Sequence, residues 1–212
     1  MDKPVRKINN SGGVIKNTGF FPSLRNKRSI AYEYLLEKDY MYLLEFDRTV
    51  ISYTEQPITL EYNYFKRKRT YTPDLKVVRQ EKTQIIEVKP YHKLIELLND
   101  EDKVVKFNVA ANYCFQNQFE YKFVTDREIK KGSFLNNIKF LYRYSNVEVP
   151  AAEVLRIKNE LFNNSLDINT LLSRIANSNN EKFKVYIFSL IFNQILKTNL
   201  DEPLSDASIV KL

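Results

Sequence analysis

Hydrophobic residues recur along this chain with two different periods, which predicts both helices and strands. Between residues 29 and 46 apolar side chains follow one another at three- and four-residue spacing, as in an amphipathic helix, and Ser29 is a candidate N-cap. Residues 92–112 show the same period, and the polar stretch 99–102 is a point where that helix can break in two. Residues 138–144 are apolar and aromatic, which fits a helix or a strand equally well.

Shorter runs rich in β-branched and aromatic residues predict strands at 50–53, 58–62, 84–89 and 121–124. Another strand begins at Tyr71, after a charged stretch that is typical of a hairpin tip. A succession of strand, helix and strand, with antiparallel hairpins around it, indicates an α/β fold.

Residue composition and hydrophobic pattern divide the chain into three parts. Residues 1–27 are basic and contain turn-forming residues, so we expect an arm with little regular structure. Residues 28–149 carry the α/β pattern. From Pro150 onward the pattern predicts a small helical domain, for which a winged-helix form is one option. Its predicted helices span 151–162, 168–176 and 182–197, and residues 200–212 suit a short hairpin or a tail.

Composition narrows the classes of function. The formal charge of +7 permits binding to a polyanion, although solubility alone explains such a charge about as often. One cysteine excludes an internal disulfide, and one histidine excludes a zinc-ligand cluster of the usual kind. Four glycines leave no glycine-rich phosphate loop. The polar start and the short apolar run at 185–192 argue against secretion and membrane anchoring, so we expect a cytoplasmic protein.

Candidate chemistry centres on residues 71–89. Glu87 and Lys89 stand two residues apart in a predicted strand, so their side chains share one face. If Asp74 ends the neighbouring strand, two carboxylates and an ammonium meet. Two carboxylates suit Mg²⁺, which prefers oxygen ligands, and a lysine beside them can help to deprotonate a water molecule or offset charge on a phosphate. This pattern indicates a metal-dependent nuclease core, although a surface salt bridge between strands can use the same residue types.

Two further features flank this cluster. Glu37 lies four residues after Glu33 on the predicted first helix, where spacing alone favours two solvated acids. The charged hairpin tip precedes the acidic segment and can hold phosphates, whereas most charge runs are simply solvated loops. Its position makes it a candidate DNA-binding element, beside aromatic residues that can pack on sugars or bases. The tip consists of Lys66, Arg67, Lys68 and Arg69.

Several short motifs occur in a defined order. They are Glu-Tyr-Leu-Leu-Glu at 33–37, Tyr-Leu-Leu-Glu-Phe-Asp at 42–47, Gln-Pro-Ile at 56–58, Tyr-Thr-Pro-Asp at 71–74, Glu-Val-Lys at 87–89 and Tyr-Lys-Phe-Val-Thr-Asp-Arg-Glu-Ile at 121–129. Their order and spacing resemble TnsA, the endonuclease subunit of heteromeric bacterial cut-and-paste transposases. The resemblance is weak over 1–27 and over the last sixty or so residues.

This resemblance implies a PD-(D/E)xK fold, with a restriction-endonuclease-like mixed-sheet core. Lys89 matches the catalytic lysine of that fold. Glu37 matches the helix glutamate that completes the metal site, which replaces its interpretation as a solvated acid. Gln56 either contacts substrate or makes a structural hydrogen bond. The implied metal ligands are Glu37, Asp74, Glu87 and the backbone carbonyl of Val88.

The resemblance also implies a function. We expect a Mg²⁺-dependent endonuclease, with Mn²⁺ as a substitute, that acts on double-stranded DNA at transposon ends and cuts the non-transferred 5′ strand, in the bacterial cytoplasm with the nucleoid. The implied partners are a TnsB-type transposase and a TnsC-type AAA+ ATPase, with the region from Pro150 as the contact surface. Two alternatives remain: a repair, resolvase or restriction nuclease of the same fold, and a non-catalytic module that binds DNA or recruits an ATPase.

Overall fold

The computed structural model describes residues 17–176 and 179–212, which divide into two compact units. The first unit ends at Ile129, and the second runs from Lys130 to Leu212. Most of the predicted basic arm, residues 1–16, lies outside the described residues. The functional boundary that we place between residues 149 and 150 stays a prediction. Among the described residues, no helix is long and apolar enough to cross a membrane.

The first unit combines helices and strands, as the sequence predicts. Its elements are β1 (Gly19–Ser23), β2 (Arg28–Tyr32), α1 (Leu35–Phe46), β3 (Val50–Glu55), β4 (Leu60–Tyr64), β5 (Arg67–Tyr71), β6 (Leu75–Arg79), β7 (Thr83–Lys89), α2 (Tyr91–Leu98), α3 (Glu101–Gln116), β8 (Glu120–Thr125) and α4 (Asp126–Ile129). The predicted break between α2 and α3 is confirmed. Asp100 starts α3 there, because its side chain accepts hydrogen bonds from the backbone N–H groups of Asp102 (3.0 Å) and Lys103 (3.3 Å).

A four-stranded mixed sheet in the order β3–β6–β7–β8 forms the centre of this unit. β6 runs antiparallel to both β3 and β7, whereas β7 and β8 are parallel. β7 is a central strand and is buried along most of its length, which fits its apolar residues Ile85, Ile86 and Val88. α1 contacts β3 and β7, and α3 contacts β8. This arrangement is consistent with the expected restriction-endonuclease-like core.

The chain before α1 differs from the prediction. The sequence predicts a helix from Ser29 and an irregular arm before it, but residues 19–32 contain the antiparallel hairpin β1–β2. The predicted helix start is wrong because Ile30 and Tyr32 are buried whereas Ser29 is exposed and Ala31 only half-buried, which is the two-residue period of a strand. The helix itself begins at Leu35.

A buried carboxylate fastens this hairpin to the core. Glu45 of α1 accepts hydrogen bonds from the hydroxyls of Ser23 (2.5 Å) and Tyr53 (2.7 Å) through one oxygen, and from the backbone N–H of Arg25 (3.1 Å) through the other. The Arg25 guanidinium donates in turn to the backbone carbonyls of Glu45 and Asp47. Since a buried polar group is costly without partners, these bonds fix the hairpin against α1 and β3.

The second unit is mostly helical. The predicted helices are confirmed with small changes at their ends, and residues 138–144 are helical rather than extended. The order of helix, strand, two helices and a closing strand fits the winged-helix option, and the closing strand (Ile209–Val210) pairs antiparallel with the first strand (Leu166–Asp167). The elements are α5 (Phe134–Leu141), a 3-10 helix (Tyr142–Tyr144), α6 (Ala151–Leu161), β9 (Leu166–Asp167), α7 (Ile168–Ile175), α8 (Asn180–Phe192) and β10 (Ile209–Val210).

Asn137, a buried side chain of α5, ties that helix to the C-terminal segment. Its amide nitrogen donates to the carbonyls of Leu200 (2.8 Å) and Glu202 (2.7 Å). Its amide oxygen accepts from the backbone N–H of Leu204 at 3.1 Å. One side chain therefore satisfies three backbone groups of a segment that lacks regular secondary structure.

We expect Asn137→Ala to lower the free energy of unfolding by about 1–3 kcal/mol, because it leaves buried backbone groups without partners. Chemical denaturation measures this change. Asn136→Ala is the matched control, since Asn136 is exposed on the same helix and its replacement should change little. Equal effects of the two substitutions would contradict the bonding role of Asn137.

Candidate active site

The structure brings Asp74 and Glu87 together where β6 begins beside β7. Leu75 pairs with Ile86 in the antiparallel β6–β7 ladder, which brings the residue before β6 opposite Glu87. The backbone N–H of Val88 donates to Asp74 Oδ2 at 2.7 Å. This bond holds the aspartate against β7, so the distance between the two carboxylates is set by the sheet itself.

The Lys89 ammonium lies among three oxygen atoms of this cluster. Its Nζ is 3.1 Å from Asp74 Oδ2, 2.9 Å from Glu87 Oε1 and 3.1 Å from the carbonyl oxygen of Val88. Two of these oxygens belong to carboxylates, and the third is the backbone group that the sequence resemblance implies as a ligand. The sequence-predicted Asp74, Glu87, Val88 and Lys89 are therefore brought together around one positive charge.

The environment keeps this lysine charged. Burial alone would lower the pKa of Lys89, but the charges of Asp74 and Glu87 outweigh it and raise that pKa above its ordinary value. In this arrangement two ion pairs hold Lys89 in its charged form. Of the two lysine roles that the sequence leaves open, the geometry favours the one that offsets negative charge.

Glu87 is almost fully buried and depends on two tyrosines that the sequence does not mark as site residues. The Tyr71 hydroxyl donates to Glu87 Oε2 at 2.6 Å and lies 2.9 Å from the Tyr121 hydroxyl. Burial, followed by the Asp74 charge, raises the pKa of Glu87. Tyr71 belongs to the Tyr-Thr-Pro-Asp motif, but only the packing of distant strands reveals its contact with Glu87.

Glu37 reaches the site from the first turn of α1. Its Oε2 accepts a hydrogen bond from the backbone N–H of Glu33 at 2.8 Å, so the side chain also satisfies a backbone group at the start of the helix. Glu33 in turn accepts a bond from the Gln56 amide nitrogen at 3.1 Å. The other amide atom, Gln56 Oε1, is buried without a hydrogen-bond partner among the described residues. Gln56 thus makes a structural bond and still has an acceptor to offer.

Burial and the charges of the cluster together shift the pKa of Glu37. Burial, aided by the Asp74 charge, raises the pKa of Glu37 to about 8, while the Glu33 N–H and the Lys89 charge act in the opposite direction. Lys106 of α3 is a further cation in this field. Its Nζ lies 5.3 Å from the ring centre of Tyr71, and burial lowers its pKa against the opposing charge of Glu87. No sequence motif points to Lys106.

The oxygen donors fit a hard divalent cation. The atoms from Asp74, Glu87 and Val88 already surround one positive charge, the ammonium of Lys89, at 2.9–3.1 Å. Among residues 17–176 and 179–212, however, no three acidic, histidine or cysteine side chains converge as a ready metal site. For a metal to bind these oxygens, the Lys89 ammonium would have to move away from some of them. The Glu37 carboxyl group would also have to lose its proton before it could bind the metal.

The charged tip lies on a separate two-stranded ribbon, β4–β5. Lys66 is in the turn and the other three cations, Arg67, Lys68 and Arg69, are on β5. The ribbon is connected to the site through Tyr71, which ends β5 and donates to Glu87. The link between the four cations and the acids of the site therefore runs along the backbone of β5.

The raised pKa of Glu37 makes a pH-dependent contribution to stability that can be tested without metal. The folded protein holds this proton to about pH 8, whereas an unfolded chain releases it near the ordinary value of 4.5. Between those values the unfolded state binds fewer protons, so rising pH favours unfolding. Below the window both states hold the proton, and above it both have released it, so the penalty no longer grows.

We expect Glu37→Gln to remove this penalty while keeping an acceptor for the Glu33 N–H. In the presence of a chelator, the variant's free energy of unfolding minus that of wild type should increase as pH rises through the window, by up to about 1.4 kcal/mol per pH unit. Urea denaturation at a series of pH values measures the difference. Parallel pH profiles for both proteins would contradict the assigned environment of Glu37.

Comparison with known proteins agrees with the geometry. Residues 47–126 match the family model described as TnsA-like endonuclease N terminal. The match contains Gln56, Asp74, Glu87 and Lys89, whereas Glu37 lies before its first residue. No curated protein matches the chain. The segment that carries the acid and lysine cluster is therefore similar to the N-terminal domain of TnsA-like endonucleases.

Proposed function

We propose that this chain is the endonuclease subunit of a Tn7-type transposase and hydrolyses the non-transferred 5′ strand at transposon ends, with Mg²⁺ as its cofactor and Mn²⁺ as a substitute. The observation that carries the proposal is the convergence of Asp74 Oδ2, Glu87 Oε1 and the Val88 carbonyl on the Lys89 ammonium. A surface salt bridge between strands would not require a carboxylate as buried as Glu87, which is 2% exposed.

Each residue of the site has a distinct role in the proposed reaction. Asp74 and Glu87 present oxygen atoms from a rigid pair of strands, and the Val88 carbonyl adds a third. Lys89 supplies a fixed positive charge that can stabilise the negative charge that builds up on a phosphate under attack. Glu37 is the fourth candidate metal ligand, and its carboxylate would bind the metal once it has released its proton. A bound Mg²⁺ would supply Lewis-acid stabilisation of the reacting phosphate.

DNA and protein partners follow from the same proposal. The cations from Lys66 to Arg69 extend from the site on the β4–β5 ribbon and can contact the DNA backbone. Gln56 is a further candidate substrate contact, although its unbonded amide oxygen is buried and would have to become accessible before DNA could reach it. A TnsB-type transposase would cut and join the 3′ end and a TnsC-type AAA+ ATPase would regulate the reaction, with the region from Pro150 as the contact surface. Contacts to phosphates carry no sequence choice, so the transposase is expected to select the end.

Two other functions fit the same fold. A repair, resolvase or restriction nuclease would cut generic or branched DNA without a transposase. A non-catalytic module would bind DNA or recruit the ATPase and leave excision products unchanged when Asp74 is replaced. The intact acids and lysine favour a working nuclease over such a module.

We expect Mg²⁺-dependent cleavage of a transposon-end duplex by wild type, tested with and without the partner transposase, and a decrease of roughly a hundredfold or more in rate for Lys89→Ala. Asp74→Asn is a companion variant, because it removes charge with little change in shape. Far-ultraviolet circular dichroism establishes that both variants are folded.

Three outcomes separate the candidate functions. Cleavage only in the presence of the transposase supports a transposase subunit, and cleavage of unrelated DNA alone supports a repair or restriction enzyme. Absence of cleavage by wild type under every partner combination would overturn the endonuclease proposal.

A further inference from the structure

The β4–β5 ribbon ends in a strained turn that exposes a phenylalanine. Tyr64 pairs with Arg67, so Phe65 and Lys66 form a two-residue turn, and their φ angles are 44° and 59°. Turns of this kind favour asparagine and glycine, because other side chains are strained at positive φ. Phe65 is nevertheless 80% exposed. The Phe65 ring packs edge-to-face on Tyr64, with 4.5 Å between the ring centres. Most of the ring nevertheless stays in contact with solvent, in a backbone conformation that strains its side chain, so this contact alone does not explain a phenylalanine here.

Cations occupy both faces of the ribbon. Side chains directly opposite in an antiparallel pair share a face, and successive residues alternate. Arg67 lies opposite Tyr64 and Arg69 opposite Tyr62, whereas Lys68 lies opposite Asn63 on the other face. Lys66 is at the end between the two faces. The face of Arg67 and Arg69 is also the one that packs against α3 at the base of the ribbon, and Arg69 is half-buried there. The exposed cations are therefore Lys66, Arg67 and Lys68, which surround the tip and point to both of its sides.

The ribbon is anchored firmly at its base. Leu60 and Tyr71 pair there and pack with Phe107 and Ala110 of α3 in one hydrophobic cluster. Farther out, the Tyr64 hydroxyl donates to Asp102 at the start of α3. The guanidinium of Arg69 lies 5.0 Å from the Tyr64 ring centre. These contacts hold the ribbon in a defined direction and leave its last residues exposed.

We propose that the β4–β5 ribbon enters the major groove of the substrate DNA, with its cations on the phosphates of both groove walls and Phe65 against base edges. This inference rests on the proposed function as a DNA nuclease. It adds which groove the ribbon occupies and which side chain contacts the bases. A major groove about 12 Å wide admits a two-stranded ribbon, whereas a minor groove of about 6 Å does not. The apolar group available to Phe65 in the major groove is the thymine methyl.

The ribbon also predicts where this contact lies. Tyr71 donates to Glu87 in the active site, and the Tyr64–Arg67 pair is four residues farther along the ribbon. At roughly 3.3 Å per residue, the tip extends about 13 Å from Tyr71. Base pairs are spaced by about 3.4 Å along DNA, so the tip contacts the duplex away from the base pair that is cut, by about four base pairs at most if the ribbon lies along the helix axis.

Phe65→Asn separates binding from folding. Asparagine tolerates positive φ, so this variant should unfold at a higher temperature than wild type, while its affinity for a DNA duplex should fall by roughly fourfold for each thymine methyl that the phenylalanine ring covers in wild type. Calorimetry measures the first change and fluorescence anisotropy the second. Phe115→Ala is the matched control, because Phe115 is 86% exposed on α3 and away from the ribbon.

Two further experiments on the same duplex test the phosphate contacts of the cations and the major-groove contact of Phe65. Arg67→Gln and Lys68→Gln should each reduce the slope of log affinity against log salt by about 0.9, because each removes one phosphate contact. Single replacements of thymine by uracil near the cut should weaken binding of wild type but not of Phe65→Asn. Unchanged affinity of Phe65→Asn, or uracil effects equal in both proteins, would overturn the ribbon inference. Failure of wild type to bind or cut DNA would instead overturn the proposed function.

Discussion

The Lys89 ammonium and the oxygens around it are the interaction on which the centre of this protein depends. Glu87 is nearly inaccessible to solvent, and Asp74 is held beside it by the Val88 N–H. Two neighbouring carboxylates in such a place repel each other unless a cation lies between them. Removal of one partner from a buried ion pair commonly costs several kcal/mol, since the remaining charge is left uncompensated. Lys89 therefore stabilises the end of β7, and under the proposed function it also organises the active site.

Each acid of the site also has a structural partner. Glu87 accepts the Tyr71 hydroxyl, Asp74 accepts the Val88 N–H, and Glu37 accepts the Glu33 N–H at the start of α1. These bonds orient the carboxylates before any ligand arrives, which lowers the cost of organising the site at the moment of reaction. The same bonds tie the site to three separate elements of the fold.

The central part of this arrangement can be predicted from the sequence. The Glu-Val-Lys spacing places two side chains on one face of a strand, and the apolar residues beside them indicate a buried sheet. Asp74 can be placed because the strand that follows it pairs with β7. The predicted strand start at Tyr71 is wrong, since Tyr71 ends β5 and the next strand begins at Leu75. The predicted start of the first helix is too early, because Ile30 and Tyr32 suit either period when the partner strand is unknown. Only the pairing of β1 with β2 decides between them.

Other features cannot be read from local patterns. The turn at Phe65 has neither glycine nor asparagine, so its positive φ carries no sequence signal. The Tyr71–Glu87 bond joins residues on different sheets, and Lys106 approaches the site from a helix whose sequence gives no hint of it. Such contacts arise when elements that are distant in sequence pack together, and single-sequence periodicity cannot reveal them.

The bond between Glu37 and the backbone of Glu33 has a consequence for how sequences of this kind diverge. A glutamine at this position could accept the same bond without the cost of burying an ionisable carboxyl group, so folding alone does not require an acid there. A lineage that no longer needs cleavage would therefore be expected to tolerate glutamine at position 37. Lys89, Asp74 and Glu87 balance one another's charge, so a lineage that abandons cleavage would be expected to lose them as a set, and a solitary replacement would be the rarer event.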